Sequence, residues 1–163
     1  MRNRGRALVI LLVQSCFVVA AVSQENAAQR QGEAELLVLH QADRRAHFAH
    51  DIDALLGPGA GTVIDVRDGK VTAVTPAEKR AKFAEYFRHA DFTAWDDVAP
   101  PIVRVSRDGS MGWMVVRVHI AYTDHDGAGK TTAHDETMAW LAAYEKRDGK
   151  WFMTAVTSTS DAH

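Results

Sequence analysis

Cysteine is almost absent from this sequence: Cys16 is the only one. One thiol cannot form an internal disulfide or a zinc site built from several thiolates. The chain also has no Gly-rich phosphate loop, no zinc-protease helix motif and no nucleophile elbow. These absences exclude the function classes that depend on such motifs, and we expect no resident metal and no cofactor.

Dense clusters of basic residues are absent as well. The chain has 19 Lys and Arg against 21 Asp and Glu, which gives a formal net charge of -2. Proteins that bind nucleic acid need a basic face, so we expect no nucleic-acid partner. A small molecule, not yet identified, and a second copy of the chain are the partners that we expect.

The only long apolar run lies at the N-terminus, after Arg2, Arg4 and Arg6, and it leads to the small residues before Gln24. This layout is typical of a secretory signal peptide. The run from Ala7 to Val22 is short for a transmembrane helix, which needs about 20 apolar residues. We therefore predict a signal peptide at residues 1-23 and a single exported domain at residues 24-163, periplasmic or secreted, with no membrane attachment after cleavage. Lipidation of Cys16 is the alternative.

Two segments have helical patterns. Residues 33-56 carry Leu39, Ala42, Ala46, Ala49 and Leu56 at helical spacing, and this stripe is predicted to face the core. A second helix is predicted to begin at Thr75-Pro76-Ala77-Glu78, which has the composition of a capping box, and to end near residue 90.

Strand patterns flank several Asp-Gly pairs, which favour tight hairpin turns because both residues accept positive φ angles. Three reversals are predicted at Asp68-Gly69, Asp108-Gly109 and Asp148-Gly149, and a fourth in residues 124-129. The strands are predicted at residues 63-66, 71-74, 102-106, 111-122, 137-145 and 151-157. A turn at Asp108-Gly109 would place Val103 opposite Met114 and make an apolar face of Met114, Val116, Val118 and Ile120.

The order of long helix, hairpin, second helix and antiparallel meander resembles the nuclear transport factor two-like superfamily, also called SnoaL-like domains. The stretches that carry the resemblance are Leu39 to His47, Pro101 to Met111 and Ala143 to Trp151. The resemblance implies an α+β fold: a cone-shaped, strongly curved antiparallel sheet packed against an N-terminal long helix and a second, shorter helix. It also implies a cavity between helices and sheet and commonly a homodimer, but no particular activity.

Four ionisable residues share one face of the first predicted helix: His40, Asp43, His47 and Asp51. They could orient a general base or ligate a metal. Because this face lies broadly opposite the apolar stripe, we interpret it primarily as a solvated face.

Two further groups of candidates lie on the predicted strands. His134 and Glu136 continue a face that carries Met138, Trp140 and Tyr144, as a mostly apolar pocket with a few polar groups would require. Exposure at a strand end is the alternative. His119 and Arg117 share a face with Trp113, which suits an anion site, a dimer surface or simple cross-strand packing.

The ligand-binding candidates are thus His40, Asp43, His47, His119, His134, Glu136 and Trp140, and no catalytic residue is assigned. The sequence favours an exported, non-catalytic binding or assembly module with a small-molecule cavity. The alternative is a cofactor-independent acid/base enzyme, of isomerase, dehydratase or hydrolase type, that uses His and carboxylate groups. Convergence of at least two of the ionisable candidates in one enclosed place would favour the enzyme.

Overall fold

The structure is a computed structural model that describes residues 7-57 and 60-161, with side chains from residue 27 onward within these ranges. It contains three helices in these ranges: α1 (Ala7–Ala49), α2 (Ile52–Leu56) and α3 (Pro76–His89). In the part of the chain so described, no helix is both long enough and apolar enough to span a membrane. The predicted signal peptide begins outside the described residues, and export stays a prediction.

The helix predicted over residues 33-56 is interrupted, so that prediction was wrong in its continuity. His50 has a left-handed backbone with φ 52°, which ends α1. The next residue, Asp51, caps α2 by accepting a hydrogen bond from the Ala54 amide at 2.9 Å. The His50 ring stacks on Phe87 of α3 with 5.2 Å between centroids, and this contact accompanies the bend.

Helix α3 begins as predicted. The Thr75 hydroxyl accepts from the Glu78 amide, and the Glu78 carboxylate accepts from the Thr75 amide at 2.8 Å, which completes the capping box. Pro76 occupies the first turn, where no amide hydrogen is needed.

Seven strands form one sheet: β1 (Val63–Arg67), β2 (Lys70–Val74), β3 (Ala90–Asp97), β4 (Ile102–Val105), β5 (Met111–His125), β6 (Thr131–Arg147) and β7 (Lys150–Ser160). The strand order is β2-β1-β7-β6-β5-β3, and β4 also pairs with β5. Every pairing is antiparallel, as predicted, except the parallel pairing of β1 with β7. The sheet is curved and does not close, and together with the helices it forms the expected α+β cone. Strand β3 was not predicted.

The Asp-Gly turns reverse the chain where predicted. Asp68 and Asp148 have φ near +50°, and the glycine after each has φ above +70°, which is the geometry of a two-residue hairpin turn. At Asp108-Gly109 only the glycine is left-handed, and the turn is longer, yet the register is the predicted one: Val103 lies opposite Met114.

The inner face of the sheet supplies the core. The residues predicted for the apolar face of β5 are all buried there, and they pack with Leu36 of α1, Trp95 of β3 and Tyr144 of β6. The Glu35 carboxylate accepts hydrogen bonds from Lys146 at 2.6 Å and Trp151 at 2.8 Å, and these bonds attach α1 to the far end of the sheet.

The buried face of α1 is only partly the one predicted. Ala46 is buried as predicted, but Leu39 and Ala49 are exposed, whereas Leu36, His40 and His47 are buried. The interpretation of the His40 face as solvated was therefore wrong. The physical reason is that His40 finds a carboxylate partner on β3, which removes most of the cost of burying a polar ring.

Candidate functional site

Asp43 lies on α1, close enough to Lys79 of α3 and Tyr144 of β6 for its charge to affect both groups. Burial raises the pKa of this carboxyl, although the nearby His47, His40 and Lys79 act in the opposite direction. At the same time 33% of the side-chain surface remains accessible. From this combination of burial and partial exposure we infer a shallow recess around the carboxylate, and we call it the Asp43 recess.

His47 forms one wall beside Asp43. Its Nδ1–H donates to the Asp43 backbone carbonyl at 2.8 Å, and the same nitrogen lies 3.8 Å from the Asp43 carboxylate. The ring is enclosed by Phe83, Phe87, Phe92 and Trp95, with centroid separations between 5.2 and 6.0 Å. This aromatic enclosure fixes the His47 ring in position.

His40 has a structural role one turn before Asp43. Its Nε2–H donates to Asp97 at 2.7 Å, and only 2% of the residue is exposed. The ring packs against Trp95 at 5.4 Å and against Trp140 at 6.3 Å. With one nitrogen committed and both faces covered, His40 orients the aromatic wall that includes Trp140.

Lys79 of α3 and Tyr144 of β6 complete the charged surroundings of Asp43. Burial lowers the pKa of Lys79, and the charges of Asp43 and Asp65 oppose that shift. Burial also raises the pKa of the Tyr144 hydroxyl, and the Asp43 charge adds to this. The recess thus brings together a carboxyl group with a raised pKa, an ammonium group with a lowered pKa and a hydroxyl group with a raised pKa.

His134 and Glu136 form a second cluster, farther along the inner face. The His134 ring stacks on Tyr122 with 4.5 Å between centroids, and Tyr122 meets Tyr86 of α3 at 5.4 Å. Burial raises the pKa of Tyr122, and the charge of Glu136 raises it further. Both candidates therefore lie on the inner face, as predicted, but in a cluster distinct from that of Asp43.

His119 lies on the outer face of the sheet and does not join either cluster. Its Nε2 pairs with the Asp135 carboxylate at 2.9 Å, and 40% of its side chain is exposed. Of the candidates, then, the structure brings together His40, Asp43, His47 and Trp140, while His134 and Glu136 belong to the separate cluster around Tyr122.

Two polar atoms on β1 and β7 are buried without a hydrogen-bond partner among the described residues: Asp65 Oδ1 and Ser158 Oγ. Asp65 shares the inner face of β1 with the buried Val63. Buried polar atoms are normally satisfied, so these two mark places where a water or ligand atom would be accommodated. Among the side chains that the structure describes, at residues 27-57 and 60-161, no three from His, Cys, Asp or Glu converge as metal ligands.

Sequence reasoning missed Lys79 as a site residue. The signal was present, because Lys79 precedes Phe83 and Phe87 by four and eight residues on α3 and so interrupts an apolar stripe with a charge. Asp65 carried no such signal, because the parallel pairing that places it on the inner face depends on β7, which is remote in sequence.

No family model matches this sequence, and no curated protein matches it either. Solved structures do match. An NTF2-like protein from Cytophaga hutchinsonii is 17% identical, with a TM-score of 0.60 over 77% of this chain and 94% of that one. An NTF2-like protein of unknown function in nutrient uptake from Rhodospirillum rubrum is 18% identical, with a TM-score of 0.58 over 78% and 98%.

A ketosteroid isomerase-like protein from Erwinia carotovora atroseptica is 16% identical, with a TM-score of 0.55 over 80% of this chain and 97% of that one. At such identities the likeness concerns the fold and not the activity. The helices, the curved sheet and these matches agree: the chain has the fold of the nuclear transport factor two-like superfamily.

Proposed function

We propose that this domain binds a small organic molecule in the Asp43 recess. The observation that carries the proposal is the environment of Asp43, which combines a burial-raised pKa with 33% accessible side-chain surface. A mostly apolar recess with a few convergent polar groups is the usual form of a small-molecule site. The carboxylate would accept a hydrogen bond from the ligand, and the aromatic residues around His40 and His47 would form the walls.

The ligand that fits this recess is a compact, largely apolar molecule with at least one hydrogen-bond donor. The donor would satisfy Asp43, which receives no side-chain hydrogen bond from the described residues. Together with the predicted signal peptide, the recess supports a binding function outside the cytoplasm.

A thermal-shift screen of residues 24-163 against a library of small hydroxylated and amine-bearing ring compounds tests this proposal. We expect some compounds to raise Tm and to shift the NMR signals of Asp43, Lys79 and Tyr144. Asp43→Asn should weaken their binding by about ten-fold, as the loss of a charge-assisted hydrogen bond implies.

The matched control is Asp135→Asn, which changes a carboxylate on the outer face whose side chain is 78% exposed. This variant should bind the same compounds as the unaltered protein. Binding that is insensitive to Asp43→Asn, or no Tm increase with any compound, would contradict the proposal.

Acid/base catalysis is the second candidate function, and the same recess supports it. A raised pKa makes the Asp43 carboxylate a stronger base than an exposed aspartate, and the charge of Asp43 affects the pKa of both Lys79 and Tyr144. Asp43 would remove a proton from the ligand, and Lys79, whose pKa is lowered by burial, would return one.

Solvent exchange distinguishes a catalyst from a binding module. A bound compound with an acidic C–H bond should exchange that hydrogen for deuterium in D2O at a rate that depends on the protein, and Asp43→Asn should abolish the acceleration. If the compound binds but exchanges no faster than in buffer, the recess binds without catalysis.

A further inference from the structure

A concave surface lies between the β1-β2 hairpin and α3. It has a volume of about 200 Å³ and is lined by Asp65, Arg67, Asp68, Lys70, Thr72 and Lys82. We call it the hairpin groove. It lies beyond the Asp43 recess, and nothing in the proposed function requires it.

The lining of the hairpin groove has a small excess of positive charge, in a chain whose formal net charge is -2. Three of its six lining residues are cations and two are acids. Lys79 adds a further cation one turn before Lys82 on α3, close enough to Asp65 for their charges to interact.

These cations are poorly neutralised. Among the described residues, no carboxylate lies within 4.0 Å of Lys70, Lys79 or Lys82, and the contact of Arg67 with Asp65 is long, at 3.9 Å. The carboxylate of Asp65 is also turned inward, since its Oδ1 atom is buried. An oxyanion in the groove would therefore meet ammonium groups from both the hairpin and the helix.

We propose that the hairpin groove binds a small oxyanion group, a phosphate or a carboxylate, held by Lys70, Lys82 and Arg67. Cations from two elements would approach the anion from different sides, and the Thr72 hydroxyl offers a further donor at the same wall. The guanidinium of Arg67 can donate two parallel hydrogen bonds to such a group.

The chain contains its own control for this site. The β1-β2 turn reads Arg67-Asp68-Gly69-Lys70, and the β6-β7 turn reads Arg147-Asp148-Gly149-Lys150, with the same letters and the same left-handed Asp-Gly pair. The two turns differ in their surroundings, because the groove that includes an α3 lysine belongs to the first turn. If an anion binds at the first turn and not at the second, the cause must therefore be the groove and not the turn sequence.

Two-dimensional NMR with inorganic phosphate, and separately with acetate, tests the proposal at constant ionic strength. We expect saturable shifts of the Arg67, Lys70 and Lys82 amides with at least one of the two anions, and smaller shifts at residues 147-150. The pair Lys70→Gln and Lys82→Gln, made together, should weaken the affinity about ten-fold, whereas Lys150→Gln should leave it unchanged.

Both lysines are exposed, so the double variant should fold, and far-UV circular dichroism checks this. Equal shifts at the two turns would show general charge attraction and overturn the proposal. Shifts that never saturate, or an affinity that the double variant does not change, would overturn it as well.

Discussion

At the scale of single residues, two His–Asp pairs have similar hydrogen-bond geometry but differ in how deeply they are buried. His40 pairs with Asp97 at 2.7 Å between two tryptophans and is 2% exposed, whereas His119 pairs with Asp135 at 2.9 Å and is 40% exposed in its side chain. Because exposed ion pairs contribute little to stability and enclosed rings contribute both packing and hydrogen bonds, the two histidines should differ in their effect on folding.

The comparison of His40→Ala with His119→Ala measures this difference. We expect His40→Ala to lower the free energy of unfolding by about 3 kcal/mol, through a cavity beside Trp95 and the loss of a buried hydrogen bond. His119→Ala should cost less than about 0.5 kcal/mol. Urea unfolding followed by tryptophan fluorescence gives both values, and equal costs would contradict the placement of His40 in the core.

Asp43 should make the stability of the fold depend on pH, and the sign of this dependence follows from its raised pKa. Burial disfavours the charged form of this carboxyl in the folded protein and so raises its pKa. Its contribution to stability is therefore complete below the pKa of the unfolded chain, about 3.9, and is lost as the pH rises through the higher pKa of the folded protein.

Asp43→Asn should remove this loss. At pH 7 we expect the variant to be more stable than the unaltered protein, and the difference should shrink as the pH falls toward 4. Chemical unfolding at several pH values checks the trend. If the variant is less stable at pH 7, the neighbours of Asp43 must stabilise its ionised form by more than burial destabilises it.

At the scale of elements, the turns were predictable and the pairing of distant segments was not. Asp-Gly pairs and the capping box at Thr75 act within a few residues, so the sequence alone located them. Strand β3 has no such local signal, and it pairs with the far part of β5. The face of α1 depends on β3 through Asp97, so missing the strand also led to the wrong face.

The same dependence explains how much of the candidate site the sequence could predict. Residue type and helical spacing identified His40, Asp43 and His47 as one group. Which side of the helix meets the sheet is decided by long-range contacts, such as Arg44 donating to the Trp95 carbonyl at 2.8 Å. Lys79 joins the group because α3 packs near α1, and Asp65 joins it because β1 pairs with β7. No local sequence pattern predicts either position.

Gly109 tests the turn between β4 and β5. Its φ of +73° favours glycine, and an added Cβ would also lie 3.4 Å from Ala28 of α1. Gly109→Val should lower the stability by at least about 1 kcal/mol. Thermal unfolding measures the effect. Gly127→Val is the control, because that residue has open space around it and no left-handed φ, and an equal loss in both variants would contradict the role of the Gly109 backbone.

At the scale of the whole molecule, the outer face of the sheet carries one continuous row of cross-strand neighbours. Ile102 lies opposite Val115, Val115 opposite Leu141, and Leu141 opposite Thr157. The row continues through Val66 to Val71 on the edge strand. It thus crosses six strands, and most of its members are exposed apolar side chains.

We propose this row as the place where the expected homodimer would form. Contiguous exposed apolar surface of this extent is typical of association sites, and a row that crosses a sheet gives two copies matching surfaces about a two-fold axis. Leu141 is at its centre with 43% exposure. We expect the domain to have the mass of a dimer in light scattering, and Leu141→Arg to convert it to a monomer because each interface would bury an unpaired charge.

Leu37→Arg is the matched control, since Leu37 is 40% exposed but lies on α1, away from the row. This variant should remain dimeric. A monomeric mass for the unaltered protein at all concentrations, or dissociation by Leu37→Arg and not by Leu141→Arg, would show that the row does not join two copies of the chain.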